Sequence, residues 1–125
     1  MRTLPLFAVL LAASALALPA AAHPKLVEAA PADGATVAPP AKVTLTFNEK
    51  LMPRFTGADL VMTGMPAMPA HKPAKVAAAS TVGGDGKTLV VTPAKPLAAG
   101  SYRVDWHAVA ADTHRIKGAV AFTAR

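Results

Sequence analysis

Two short segments, AAAHPKL at the head of the chain and ADTH near its end, carry residue types that could hold a metal. In the first, His23 stands directly after the triplet Ala20-Ala21-Ala22. If the chain is cut there, His23 becomes the first residue and offers two nitrogens at once, its α-amine and ring Nδ1, closing a chelate. Pro24 follows and has no backbone N–H, so a metal cannot displace an amide proton there. The chelate stays bidentate, and the remaining positions must be filled from elsewhere.

The second segment could fill them. If Ala111–His114 is extended, Asp112 and His114 lie two apart and point to the same side, presenting a carboxylate oxygen and an imidazole nitrogen together. Two nitrogens from His23, one from His114 and an oxygen from Asp112 form a nitrogen-rich set of the kind that suits tetragonal Cu(II). Zinc accepts similar atoms but prefers a tetrahedron. The same DTH tripeptide also reads as a turn whose aspartate accepts backbone N–H bonds.

A third group lies in MTGMPAMPAH, which holds Met62, Met65, Met68 and His71. Thioethers are soft neutral donors that favour Cu(I), and these methionines recur every third residue in a proline-bearing segment. Met62 shares strand parity with Leu60 and so also reads as core. Met65 and Met68, each followed by proline, do not. Met52 reads as core or loop packing. His107, beside Trp106, reads as a surface histidine before it reads as a ligand.

These residues need a scaffold and a compartment. One charge at Arg2, an apolar run over Leu4–Leu18 and the small-residue triplet ending at Ala22 make residues 1–22 a secretory signal peptide, cut before His23. The apolar run is short of the roughly 20 residues that span a bilayer. The mature chain, 23–125, is then one domain without a membrane span. Cysteine is absent, so an exported chain of this size has no disulfide framework and no thiolate ligand. The net charge of +6 is spread over singly placed Lys and Arg, without the cluster that nucleic acid or an anionic membrane requires.

Short alternating apolar runs punctuated by Pro, Gly and Asp predict an all-β domain. KVTLTF is the clearest, with Val43, Leu45 and Phe47 on one face. Further strands are expected at Lys25–Ala29, Ala58–Thr63, Lys75–Ser80, Thr88–Thr92, Ser101–His107 and Gly118–Thr123. PADG and GGDGK supply the turn residues between strands. Seven short strands fit a two-sheet Greek-key sandwich, with Trp106 in the core beside Tyr102 and Val104. Gly64–Ala74 is the longest stretch without strand character.

Taken together, HPKL at a cleavage point, a strand ending in FNEKL, the run GADLVMTGMPAM and the segment TLVVTPAKPLAAGSYRVDWHAVAADTHRIKG closely resemble the CopC family of periplasmic copper-binding proteins, over essentially the whole mature chain. The resemblance implies a seven-stranded Greek-key β-sandwich or barrel, immunoglobulin-like or cupredoxin-like. It implies Cu(II) at one end, on His23, Asp112 and His114, with Glu49 of the FNE segment as a candidate ligand or neighbouring group. In the methionine-bearing branch it also implies Cu(I) at the other end, here on Met62, Met65, Met68 and His71.

Two departures stand out. Lys72-Pro73-Ala74-Lys75 replaces a further methionine that the family's loop often carries, with one residue more between Met68 and His71. Arg115 replaces a proline that often follows DTH.

The function so implied is a periplasmic copper carrier in copper resistance or homeostasis, not an enzyme. Its partners would be an inner-membrane copper transporter (CopD-like) or a multicopper oxidase. Two rivals remain open at this point. A copper-dependent oxygenase, like the lytic polysaccharide monooxygenases, also uses an N-terminal histidine chelate, although this chain is short for one and lacks an aromatic platform. A metal-free exported immunoglobulin-like module explains the strands but leaves Met65, Met68 and the placement of His23 as coincidences.

Overall fold

The computed structural model describes residues 23–68 and 72–125. The leader expected over 1–22, its cleavage and His71 therefore lie outside the described residues.

Alternation of apolar and polar residues decides the architecture. In Val43–Phe47 the three odd positions are buried and the two even ones half-buried, as a strand with one face on a core requires. The same pattern runs through Gly100–Val109, where Tyr102, Val104, Trp106 and Ala108 face inward. Strands built this way must cover their apolar faces against a second sheet.

In chain order the strands are β1 (Leu26–Ala30), β2 (Ala35–Val37), β3 (Val43–Phe47), β4 (Gly57–Gly64), β5 (Ala74–Val76), β6 (Ala78–Val82), β7 (Thr88–Pro93), β8 (Gly100–Val109) and β9 (Arg115–Ala124). One sheet has the order β1-β3-β7-β6 and the other β2-β9-β8-β4-β5. All pairs are antiparallel except β2 with β9. Between the sheets lies a core of Val43, Leu45, Phe47, Leu60, Leu89, Val91, Val104, Val120 and their neighbours. Trp106 sits in it, edge-on to Phe47, as its parity predicts.

The all-β sandwich expected from the sequence is the fold observed, but its strand count differs. Lys75–Ser80, expected as one strand, is two. Val76 pairs with Leu60 in one sheet while Ala78 pairs with Pro93 in the other, so the chain changes sheets at Ala77. Ala35–Val37 is an additional strand, too short to show a period in the sequence. It is held by pairing with Phe122–Ala124, by Gly34 at φ 80° and by Asp33, whose Oδ1 accepts from Ala121 N–H. Tyr102 O–H donates to the Ala98 carbonyl at 2.6 Å, a backward bond of the kind that pins a strand corner in immunoglobulin-like sandwiches.

Two features position the candidate sites. β8 and β9 form one long hairpin, and at its closed end the turn 110–114 carries ADTH. At the other end of β8, Ser101 pairs with Gly64, just before the methionine segment. Ten residues of extended chain separate these ends by about 30 Å.

Candidate metal centre

The ADTH turn is tight, not extended. Thr113 N–H donates to the Ala110 carbonyl, and Thr113 itself is left-handed at φ 64°, uncommon for a β-branched residue. The expectation that an extended backbone would place Asp112 and His114 on one side is therefore corrected. They do converge, because the left-handed residue between them folds the segment back on itself. Asp112 Oδ1 accepts from His114 N–H at 3.2 Å, so the turn reading holds. One carboxylate oxygen builds the turn, and the other faces the imidazoles of His23 and His114.

Asp112 Oδ2 is buried, with His23 Nδ1 2.8 Å away and His114 Nδ1 3.6 Å away. Carboxylate oxygen and imidazole nitrogen are donor types that zinc and copper accept. The two imidazole rings are stacked, with centroids 5.3 Å apart and planes 16° from parallel.

His23, Asp112 and His114 each place one donor atom within 4.8 Å of the others. Metal–ligand bonds of about 2 Å hold ligand atoms up to about 4 Å apart, so a small adjustment brings all three onto one ion. The donors fit Cu(II) or zinc by type. Cutting the Ala22–His23 bond would add the amine of His23, raising the nitrogen share toward Cu(II).

His23 is held there by the residues after it. Pro24 is buried, Lys25 N–H donates to Asn48 Oδ1 at 2.7 Å, and Asn48 N–H donates to the Lys25 carbonyl at 3.1 Å. Asn48 was not visible as a site residue in the sequence. The available signal was its place at a strand end, where asparagine side chains bond nearby backbone. Glu49 follows it, half-buried in the same loop and outside the donor cluster. The loop then returns toward the site, with Met52 N–H donating to the Val109 carbonyl.

His107 does not join the cluster. It stands on the outer face of its sheet, half-buried beside Gly57 and paired in register with Lys117. Partial burial, then the nearby Arg115, holds its pKa below the usual histidine value.

At the opposite end, Met65 and Met68 exchange two backbone hydrogen bonds, of 2.8 and 2.9 Å, across Pro66-Ala67. Both side chains are exposed, as expected for residues without a core role. Met62 is half-buried, packs on the core and has its methyl beside Gly100. Met62 therefore does part of its work in packing.

A two-sheet β-sandwich with a His-Asp-His cluster at one end and exposed methionines at the other defines an all-β protein that carries metal-donor side chains at both ends. Comparison with known proteins gives the family: the CopC domain profile matches residues 26–125, and the chain belongs to that family. Copper resistance protein C of Pseudomonas syringae pv. tomato is 56% identical over 94% of this chain and 90% of its own length. Copper resistance protein C of Xanthomonas campestris pv. juglandis is 48% identical over 99% of this chain and 97% of its own. Among solved structures, PcoC from Escherichia coli, described as a methionine-rich copper resistance protein, superimposes with a TM-score of 0.77. It is 47% identical, over 83% of this chain and all of its own.

Proposed function

We propose that this protein is a copper carrier of copper resistance, working in the periplasm after a signal peptide is removed before His23. Cu(II) is held by the amine and Nδ1 of His23, by His114 and by Asp112. The observation that carries this reading is the convergence of His23, Asp112 and His114, whose donor atoms lie within 4.8 Å of one another. The names of the three relatives reported above, each a copper resistance protein, support copper over zinc.

The second site is a soft one. Met65 and Met68, with Met62 and His71, supply thioethers and an imidazole for Cu(I). Because the two ends prefer different oxidation states and lie about 30 Å apart along β8, a change of redox state selects which end holds the metal. The carrier then passes copper to an inner-membrane transporter or a multicopper oxidase. Glu49 sits close enough in sequence to the Asn48 contact to act from outside the donor cluster.

The test compares protein beginning at His23 with protein carrying one extra alanine before it. The extra residue turns the α-amine into an amide and leaves every side chain in place. Tight one-to-one Cu(II) binding with nitrogen-rich tetragonal electron paramagnetic resonance parameters is expected for the first form, and much weaker binding for the second. Equal binding by both removes the amine from the site, and unchanged binding in Asp112→Asn removes the cluster.

A further inference from the structure

Beside the ADTH turn, on the outer face of the β4–β8–β9 sheet, lies a groove of about 480 Å³. Its apolar part is buried Val109, half-buried Met52 and Phe55, which is 52% exposed. Arg54, from the 3-10 turn Pro53–Phe55, and Arg115, from the start of β9, border it with His107 and Thr113. An exposed aromatic sharing a groove with two arginines differs from the large apolar groups isolated among mixed charges that are common on protein surfaces.

The charges around the groove are unbalanced. Neither Arg54 nor Arg115 takes part in an ion pair among the described residues. The nearby acids are engaged elsewhere: Asp59 with Lys75 at 3.2 Å, and Asp112 with the two imidazoles. Lys117, in register with His107, adds a third positive charge on the same face. The groove therefore combines positive charge from two separate elements with an apolar patch.

We propose that this groove docks an acidic segment of a partner protein, a large apolar side chain flanked by carboxylates. The apolar side chain enters against Met52, Phe55 and Val109. The carboxylates meet Arg54 and Arg115, whose planar forks suit them. A small monocarboxylate satisfies only one of the two guanidiniums, whereas a peptide with separated acids satisfies both. The groove's size is that of an ordinary ligand site, and its charges chiefly set orientation and association rate.

The groove also touches the metal centre. Thr113, which borders it, is the left-handed residue between Asp112 and His114. If the copper reading above holds, a Cu(II) ion there adds positive charge beside the groove and strengthens binding of the acidic segment. By thermodynamic reciprocity the segment then strengthens Cu(II) binding by the same factor. A partner would so distinguish loaded from empty carrier.

The test begins with metal-free protein starting at His23, titrated by nuclear magnetic resonance with a blocked Asp-Phe-Glu tripeptide, a blocked Lys-Phe-Lys tripeptide and 3-phenylpropionate. The acidic peptide is expected to shift Met52, Phe55 and His107 resonances to saturation, and the basic peptide to leave them unmoved. R54E and R115E, each checked for an unchanged amide spectrum elsewhere, should each weaken the acidic peptide about tenfold. Equal response to both peptides, no response at those residues, or full binding by both variants overturns the proposal. Binding of 3-phenylpropionate as tight as the peptide's overturns the protein-segment occupant in favour of a small carboxylate.

Repeating the peptide titration with Cu(II)-loaded protein, by calorimetry, tests the linkage separately. Several-fold tighter binding supports it. Arginine-dependent binding that ignores Cu(II) supports the groove and overturns the linkage.

Discussion

Lys25 and Asn48 exchange two hydrogen bonds, Lys25 N–H to Asn48 Oδ1 at 2.7 Å and Asn48 N–H to the Lys25 carbonyl at 3.1 Å. This pair ties the N-terminal arm to the loop after β3, two residues beyond His23. The first bond needs only a side-chain acceptor. Asn48→Ala should weaken Cu(II) binding about fivefold, the worth of one lost hydrogen bond of about 1 kcal/mol. Asn48→Asp, which keeps the acceptor, should restore it. A competition titration measures both, and faster amide exchange at Lys25 in metal-free Asn48→Ala separates loss of positioning from loss of the site.

Gly118 lies against Trp106, and a Cβ there would come within 2.3 Å of Trp106 Cζ2 and 2.7 Å of Cε2. The indole cannot retreat freely, because it is packed edge-on to Phe47 in the core. Gly118→Ala should cost about 1–3 kcal/mol, as overpacking does. A lower urea midpoint with a changed tryptophan emission spectrum is the expected result; an unchanged midpoint would mean that the β8–β9 pair shifts at no cost.

His107 makes metal-free stability depend on pH. Its folded pKa lies below the ordinary 6.5, through burial first and the Arg115 charge next, with Asp59 opposing and Lys117 adding a little. Between the two pKa values the unfolded chain binds more protons, so stability rises with pH. Its contribution is present above about 6.5 and is lost as the pH falls through that value toward the folded pKa. From pH 8 to pH 5 the melting temperature of metal-free wild type should fall relative to that of His107→Gln. Parallel curves would remove His107 as the cause.

Met65 and Met68 are exposed and bonded to each other only through backbone. Replacing both with leucine keeps volume and leaves the two hydrogen bonds intact. Under reducing conditions Met65→Leu/Met68→Leu should lose at least tenfold in Cu(I) affinity against a chromogenic chelator, one order of magnitude being about 1.4 kcal/mol. Cu(II) binding at the other end and thermal stability should stay as in wild type. A Cu(I) affinity that survives would move the soft site away from this segment.

What the sequence determined by itself was local in origin. Period-2 alternation is a property of neighbouring residues, so KVTLTF and the SYRVDWH run were legible as half-buried strands, and with them the sandwich and the inward face of Trp106. The exposure of Met65 and Met68 was equally legible, because the prolines after them remove the backbone donors a continuous strand would need. The ADTH segment could be read as ligand or as turn, and the resemblance to a family favoured the first without excluding the second.

Tertiary structure decided what depended on contacts between distant parts of the chain. Whether Ala77 continues a strand or changes sheets depends on which partners lie beside Val76 and Ala78. The left-handed Thr113 lets Asp112 serve turn and donor cluster at once. The approach of His23 to Asp112 and His114 joins opposite ends of the chain, and Pro24, Lys25 and Asn48 anchor the arm that makes it. No local pattern encodes such a meeting, because it arises only when the β1–β3 pair and the β8–β9 hairpin close on one core.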